Sequence, residues 1–274
     1  MRFFRKLKWL FGTYLLPRHI ATVKTENGIL SFNSKDRTLG RALNIEREFE
    51  SQMMKRTVKL LTKNGDIKQV KGRVVMDVGG YVGMSSIGFL NFNLFDNAII
   101  FEPNPNSFSL IEKNIKQNNF SDQITAFNVA LSNKNSELLM ELSHKNFGDH
   151  RIRQEGPVQE GHYHEEVRKI ISVDSVTLDD FIKKNPQINF KNISMVWMDI
   201  QGHEGKFLQG ANNFLSSQKI PVVMEFWPYG ILRSGTTKND FLENLVKLFT
   251  HFYIVDNEFT ELQNILNVEK LFDE

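Results

Sequence analysis

Cysteine is absent from the chain, and that absence excludes disulfides, thiolate metal sites and a cysteine nucleophile. It suits a reducing compartment, so the expectation is a cytoplasmic protein. An excess of charge of either sign is also missing. The 34 basic and 32 acidic residues leave a net charge of +2, which gives no chain-wide electrostatic basis for a nucleic-acid partner. No uninterrupted apolar run approaches the roughly 20 residues that a spanning helix needs. Internal repeats and low-complexity blocks are lacking too. What remains is 274 residues with 41% hydrophobic content, enough for one large α/β domain with an extension.

The basic, apolar start, MRFFRKLKWLFGTYLLPRHI, is too short to span a bilayer and lacks a small-residue cleavage site before Pro17. At about 100° per residue, Phe3, Leu7, Leu10, Phe11 and Tyr14 share one helical face, while Arg2, Arg5, Lys6 and Lys8 fall away from it. Residues 1–16 thus read as an amphipathic helix. Two uses for its apolar face stay open: peripheral contact with the inner membrane surface, or packing on the domain or on a second subunit of a homo-oligomer.

Residues 1–70 read as an N-terminal extension covering a sheet, with a strand at Gly28 to Phe32 and one helix from Leu43 to Leu61. From 71 to 274 apolar β-rich runs alternate with amphipathic stretches, the pattern of a doubly wound, mostly parallel α/β sheet of Rossmann-like type. The expected strands are Val74 to Val78, Ala98 to Phe101, Ile124 to Val129, Met195 to Met198, Ile220 to Phe226 and Phe252 to Val255. Their nearly all-apolar composition suits burial on both faces. Helices are expected over Ser85 to Phe92, Pro105 to Gln117, Thr177 to Lys184, Glu204 to Leu215 and Asn239 to Phe249. The polar run around 143–166 reads as a mobile loop. Ligands of such sheets bind at the carboxyl ends of the strands, where strand order reverses.

The sharpest local signal is DVGGYVG at 77–83, where a strand stops and a helix begins. Glycines there admit close backbone approach, and the helix start offers free N–H groups. The dinucleotide fingerprint requires G-x-G-x-x-G, but Gly79, Gly80 and Gly83 are spaced otherwise, with Tyr81 where its second glycine belongs. Asp77 repels phosphate and suits the cationic amino group of an amino-acid-like cofactor. Glu102, at the tip of the next strand, suits both hydroxyls of a ribose.

With these residues in place, the chain resembles the FkbM family of class I S-adenosylmethionine-dependent methyltransferases. The resemblance runs from about Arg73 to Trp227 and rests on DVGGYVG at 77–83, FEPNP at 101–105, NVALSN at 128–133, VTLDDF at 176–181, MDIQGHEGKFLQGA at 198–211 and VVMEF at 222–226. It implies S-adenosyl-L-methionine as cofactor, with Asp77, Gly79, Gly83 and Glu102 lining its site, Ala130 near the adenine, and Asp199 beside the methyl group. Gly80 and Tyr81 in the turn, and Pro103 and Asn104 after Glu102, complete the expected cofactor set. The chain departs from the family pattern at Gly80-Tyr81, Trp197 and Gln201, and these three side chains are expected near the site.

Methyl transfer to a hydroxyl requires an aligned acceptor and a base. His203 is the first choice of base and Asp199 the second; Glu225 ends a neighbouring strand, and His150 with Arg151 belongs to a loop expected to close over the acceptor. Two carboxylates are too few for a hard metal, and His162 and His164 lack a third zinc ligand, so no metal is expected. Trp227 and Tyr229 read first as packing aromatics. The resulting expectation is O-methylation of a small-molecule or glycan hydroxyl on a sugar, glycolipid or secondary metabolite. Two alternatives stand beside it, an NAD-dependent oxidoreductase and a catalytically silent module that binds a membrane surface or a partner.

Overall fold

A computed structural model describes residues 2–68, 71–154, 161–255 and 261–273. The chain opens with α1 (Arg2–Leu10), which runs into a π-helical turn at Phe11–Leu15. The antiparallel hairpin β1 (Ile20–Lys24) and β2 (Ile29–Asn33) follows, then α2 (Leu39–Ile45) and α3 (Ser51–Lys63). The single helix expected over Leu43 to Leu61 is therefore two. Arg47 and Glu50 adopt left-handed backbone between them, at φ 67° and 53°. The hairpin loop pins this break: Asn27 exchanges hydrogen bonds with the Phe49 backbone at 3.1 and 3.2 Å, and the Glu26 N–H donates to the Arg47 carbonyl.

The core alternates β3 (Val74–Val78), α4 (Met84–Asn91), β4 (Asn97–Phe101), α5 (Pro105–Gln117) and β5 (Ile124–Phe127). It continues with β6 (Ala130–Leu131), β7 (Ser136–Leu142), β8 (Arg151–Ile152), β9 (Lys169–Val176), α6 (Leu178–Lys184), β10 (Ile193–Met198), α7 (Glu204–Gly210), α8 (Asn212–Gln218), β11 (Val222–Met224), α9 (Pro228–Arg233) and α10 (Lys238–Leu248). Caps readable in the sequence set several helix starts. Asn104 accepts from the Asn106 N–H ahead of Pro105, and Thr177 and Thr237 cap α6 and α10 in the same way. The stretch expected as one helix from Glu204 to Leu215 breaks at Ala211, where a side chain on Gly210 would strike the Ser132 carbonyl.

The main sheet has the order β11-β10-β3-β4-β5, and all four pairings are parallel. Order reverses between β3 and β10. One face packs on Val23, Leu30, Phe32, Leu43, Met54 and Val58 of the first 70 residues together with α4. The other packs on α6 to α10. A second sheet, β6-β9-β7-β8, joins β5 to α6; its strands β7 and β9 are absent from the sequence expectation. The run read as a loop around 143–166 contributes β8 and a buried ion-pair network, with 155–160 outside the described residues. Arg151 meets Asp149 and Glu165, and Arg168 meets Asp149 at 2.7 Å. Among the described residues no helix is long and apolar enough to cross a membrane.

Trp197 is not at the site. It is 6% exposed and packs edge-on against Phe89, itself edge-on to Phe95. Phe89 is fully buried in this cluster. Phe89→Ala is expected to cost about 3–5 kcal/mol of unfolding free energy, measured by urea denaturation.

Candidate functional site

Reversal of strand order places the carboxyl ends of β3, β4, β10 and β11 along one edge, and each ends in groups that serve the cleft. The β3–α4 turn is built on Gly79 and Gly83, at φ 89° and 77°. A Cβ at Gly79 would collide with the Asp199 carbonyl oxygen, and one at Gly80 with the Ile100 side chain; both positions therefore require glycine. The N–H groups of Gly79 and Gly80 donate to the Phe101 carbonyl, and Gly83 N–H closes the turn on the Gly80 carbonyl at 2.7 Å.

Glu102 leaves β4 buried at the floor of the cleft. Its Oε2 accepts from the Tyr81 N–H and its Oε1 from the Asn104 N–H, both at 2.8 Å. Burial pushes its pKa up to about 8 against these two bonds. Each carboxylate oxygen has a second lone pair, so Glu102 can still accept hydroxyl donors. Tyr81 sits at φ 48°, and its hydroxyl donates to Asp36 Oδ2 at 2.6 Å, tying the turn to the N-terminal extension.

The cleft spans about 550 Å³, its open mouth included, and its lining includes Gly79, Tyr81, Glu102, Pro103, Ala130, His150, Asp199 and His203. Met140 and Ile152 of the second sheet, with Phe147 and Val129, supply apolar walls. Val129 falls within NVALSN, but no simple motif marks Met140, Phe147 and Ile152; the inward alternation of Leu138 and Met140 along β7 is the signal that was available. Apolar walls around a buried carboxylate and a glycine turn fit the nucleoside part of S-adenosylmethionine.

Four expected cofactor residues do not line the cleft. Asp77 is 2% exposed; its Oδ2 accepts from the Ser86 hydroxyl at 2.7 Å, and its carboxyl also accepts from the Ser86 N–H. It holds the start of α4, with its pKa raised to about 6 by burial. Gly83 shapes the turn without reaching the cleft, and buried Asn104 caps α5. Gly80 likewise shapes the turn behind the lining.

Of the expected catalytic residues, Asp199 extends β10, with its N–H donating to the Val78 carbonyl, and Glu225 extends β11, donating to the Met198 carbonyl. Gln201 joins them: its amide Nε2 donates to Asp199 Oδ1 at 2.6 Å and to Glu225 Oε2 at 3.0 Å. Burial raises the Asp199 pKa, and Glu225 is pushed up to about 7 by burial and by the charges of Asp199, Glu50 and Asp149. Glu50, from the break between α2 and α3, is pushed to about 7 by burial and by Asp199. Its part in this acidic group was invisible in the sequence, since it comes from a distant segment. Among the described residues no three acidic or histidine groups are placed to hold a metal ion.

His203 lies against the cleft with Nε2 2.9 Å from the Ser132 hydroxyl. Burial pushes its pKa down to about 3, so the ring is neutral and a weak proton acceptor. His150 accepts from the Ser143 N–H through Nδ1, which places its ring proton on Nε2, and burial lowers its pKa to about 4. Arg151 is held in the ion-pair network, its guanidinium 4.5 Å from the Trp227 ring centre. Burial would raise the Glu165 carboxyl, yet bonds from the Tyr163 N–H and the Tyr229 hydroxyl and the Arg233 charge bring it to about 2. Tyr229 thus anchors the second sheet to α9.

Behind the site Glu204 is 1% exposed and its Oε2 has no partner; burial pushes its pKa from 4.5 to about 8. Between those values the folded chain keeps a proton that the unfolded chain has released, so this group's contribution to stability falls as pH rises. In urea denaturation at pH 5 and pH 8, Glu204→Gln is expected to lose part of the decline that the parent shows between the two pH values.

Residues 77–258, more than half of the chain, match the family described as the Methyltransferase FkbM domain. No curated protein matches. Among solved structures, a methyltransferase FkbM from Methylobacillus flagellatus KT is similar at 15% identity, over 74% of this chain and 46% of that one, with a TM-score of 0.41. A putative caffeoyl-CoA O-methyltransferase from Staphylococcus aureus is similar at 11% identity, over 78% of this chain and 83% of that one, with a TM-score of 0.39. A Streptococcus agalactiae protein of the NADB-Rossmann superfamily is similar at 12% identity, over 77% and 66% of the two chains, with a TM-score of 0.38. The chain spans less than half the length of the first of these proteins. The methyl donor of such a domain is S-adenosylmethionine. A glycine turn that excludes the dinucleotide spacing, a buried acid at the next strand end and the family match over residues 77–258 agree: this chain belongs to the FkbM methyltransferase family.

Proposed function

We propose that the protein is an O-methyltransferase acting on a hydroxyl of a sugar, glycolipid or secondary metabolite. The observation that carries this reading is the pair Asp199 and Glu225, bridged by Gln201 beside the glycine turn. When bound, S-adenosylmethionine supplies a methyl group activated by the sulfonium charge. Glu102 would hold the ribose hydroxyls, and Ala130, Val129 and Met140 the apolar base.

A hydroxyl is a poor nucleophile until its proton has somewhere to go. Glu225 lies outside the cleft lining but is joined to the lining residue Asp199 through Gln201; exposed and pushed up to about 7, it is suited to accept that proton. Gln201 orients both carboxylates, and its amide, unlike a third carboxylate, adds no charge between them. His150 offers its Nε2–H as a donor to the acceptor or the donor molecule. Acidic groups at the mouth suit hydroxyl donors of a polyol more than an anionic acceptor. The cysteine-free composition supports a cytoplasmic setting.

Calorimetric titration with S-adenosylhomocysteine is expected to show micromolar binding, about −8 kcal/mol, with none for NADH. Glu102→Ala is expected to weaken it at least about ten-fold. In a screen of hydroxylated acceptors, Glu225→Gln should keep this binding while lowering kcat, and the parent kcat should rise with pH through about 7. A variant with unchanged kcat would remove Glu225 as base. Absence of S-adenosylhomocysteine binding would sink the reading.

A further inference from the structure

The apolar stripe of the N-terminal helix faces outward. Trp9, 8% exposed, and Thr13 turn inward, and Arg2 bonds Glu46 at 2.7 Å while Arg5 reaches the Ile45 carbonyl. Lys35 fastens the end of the segment through the Thr13 and Leu16 carbonyls at 2.5 and 2.6 Å. This inward face is the one that packs on the domain. On the opposite side Phe3, Phe4, Leu7, Phe11 and Leu15 are all exposed, Phe4 at 73% and Leu15 at 72%, while Tyr14 packs edge-on against Trp9. A contiguous stripe of this kind, held by a fixed helix, is an interaction surface.

Charge identifies its partner. Lys6 and Lys8 are exposed on the two flanks of the stripe at helical spacing. Residues 2–25 contain Arg2, Arg5, Lys6, Lys8, Arg18 and Lys24 and no acidic side chain. A second copy docking through the same stripe would bring these lysines against their own counterparts. Anionic headgroups would neutralise them while the phenylalanines and leucines enter the acyl boundary.

We propose that residues 2–16 dock the protein on an anionic lipid bilayer, with the helix lying in the interface plane. The helix is joined to the rim of the cleft. Arg37 stacks 4.9 Å from the Tyr14 ring centre and its N–H donates to the Lys145 carbonyl, and Arg18 lies 5.5 Å from the ring centre of Phe147, a lining residue. Docking thus brings the Phe147 rim beside the headgroup layer.

The test is flotation of the full chain with phosphatidylcholine vesicles, with and without phosphatidylglycerol, together with light scattering of the protein alone. The expected result is binding to the anionic vesicles, at least about ten-fold stronger than to the neutral ones and weakened by salt. Phe4→Ser with Leu7→Ser and Phe11→Ser, and separately Lys6→Glu with Lys8→Glu, should each lower partitioning about ten-fold while circular dichroism and melting temperature stay unchanged. No binding by the parent, or equal binding by the variants, overturns the proposal. A dimer that the triple serine variant disperses, without vesicle binding, assigns the stripe to a second copy instead.

Discussion

The contact between the Gly79 backbone and the Asp199 carbonyl oxygen is the constraint on which the site depends. Strand order reverses between β3 and β10, and the Asp199 N–H bonds the Val78 carbonyl at 3.0 Å as the two chains leave the sheet. The β3–α4 turn must then pass where any side chain would strike that carbonyl. Glycine at 79 lets β3 and β10 stay paired to their ends. Pairing to the ends sets Asp199 at the mouth of the cleft, and the next pairing sets Glu225 beside it. A reversal of order opens a crevice in any doubly wound sheet; here its walls come from residues within a few positions of the strand ends.

Ionisable groups are concentrated at this edge, and burial acts on them in two ways. Glu102 and Glu204 are shielded from water without a cation beside them, so burial raises both. Asp149 and Glu165 are equally buried but meet Arg151, Arg168 and Arg233. The arginines and acids hold the second sheet against α9 as one wall, while burial alone acts on the unpaired acids and favours their neutral form. The division follows position: paired charges brace the wall, and raised carboxyls face the cleft or lie directly beneath it.

The sequence shows those features that are local. DVGGYVG marks the turn because its glycine spacing is contiguous, and Asn104-Pro105 and Thr177 mark helix starts because caps act within three residues. The five core strands are legible as apolar runs, which burial on both faces demands of the central β3, β4 and β10. The second sheet is not: β7 and β9 are half buried, β7 reads as SELLMEL, and their pairing joins segments far apart in the chain. Splitting of the helix over Leu43 to Leu61 also depends on Asn27, some twenty residues earlier.

The site divides along the same line. The sequence by itself determined the family, the glycine turn and the strand-end acids Glu102, Asp199 and Glu225, because strand ends and turns are written in consecutive residues. Only the tertiary structure decided which groups face the cleft. It turned Asp77 to the start of α4, sank Trp197 into the core, buried His203 as a neutral ring and brought Glu50 and Gln201 to the carboxylates. It also turned the apolar stripe of α1 outward. Side-chain direction and the charge state of a buried group depend on neighbours supplied by other segments, and packing alone brings those together.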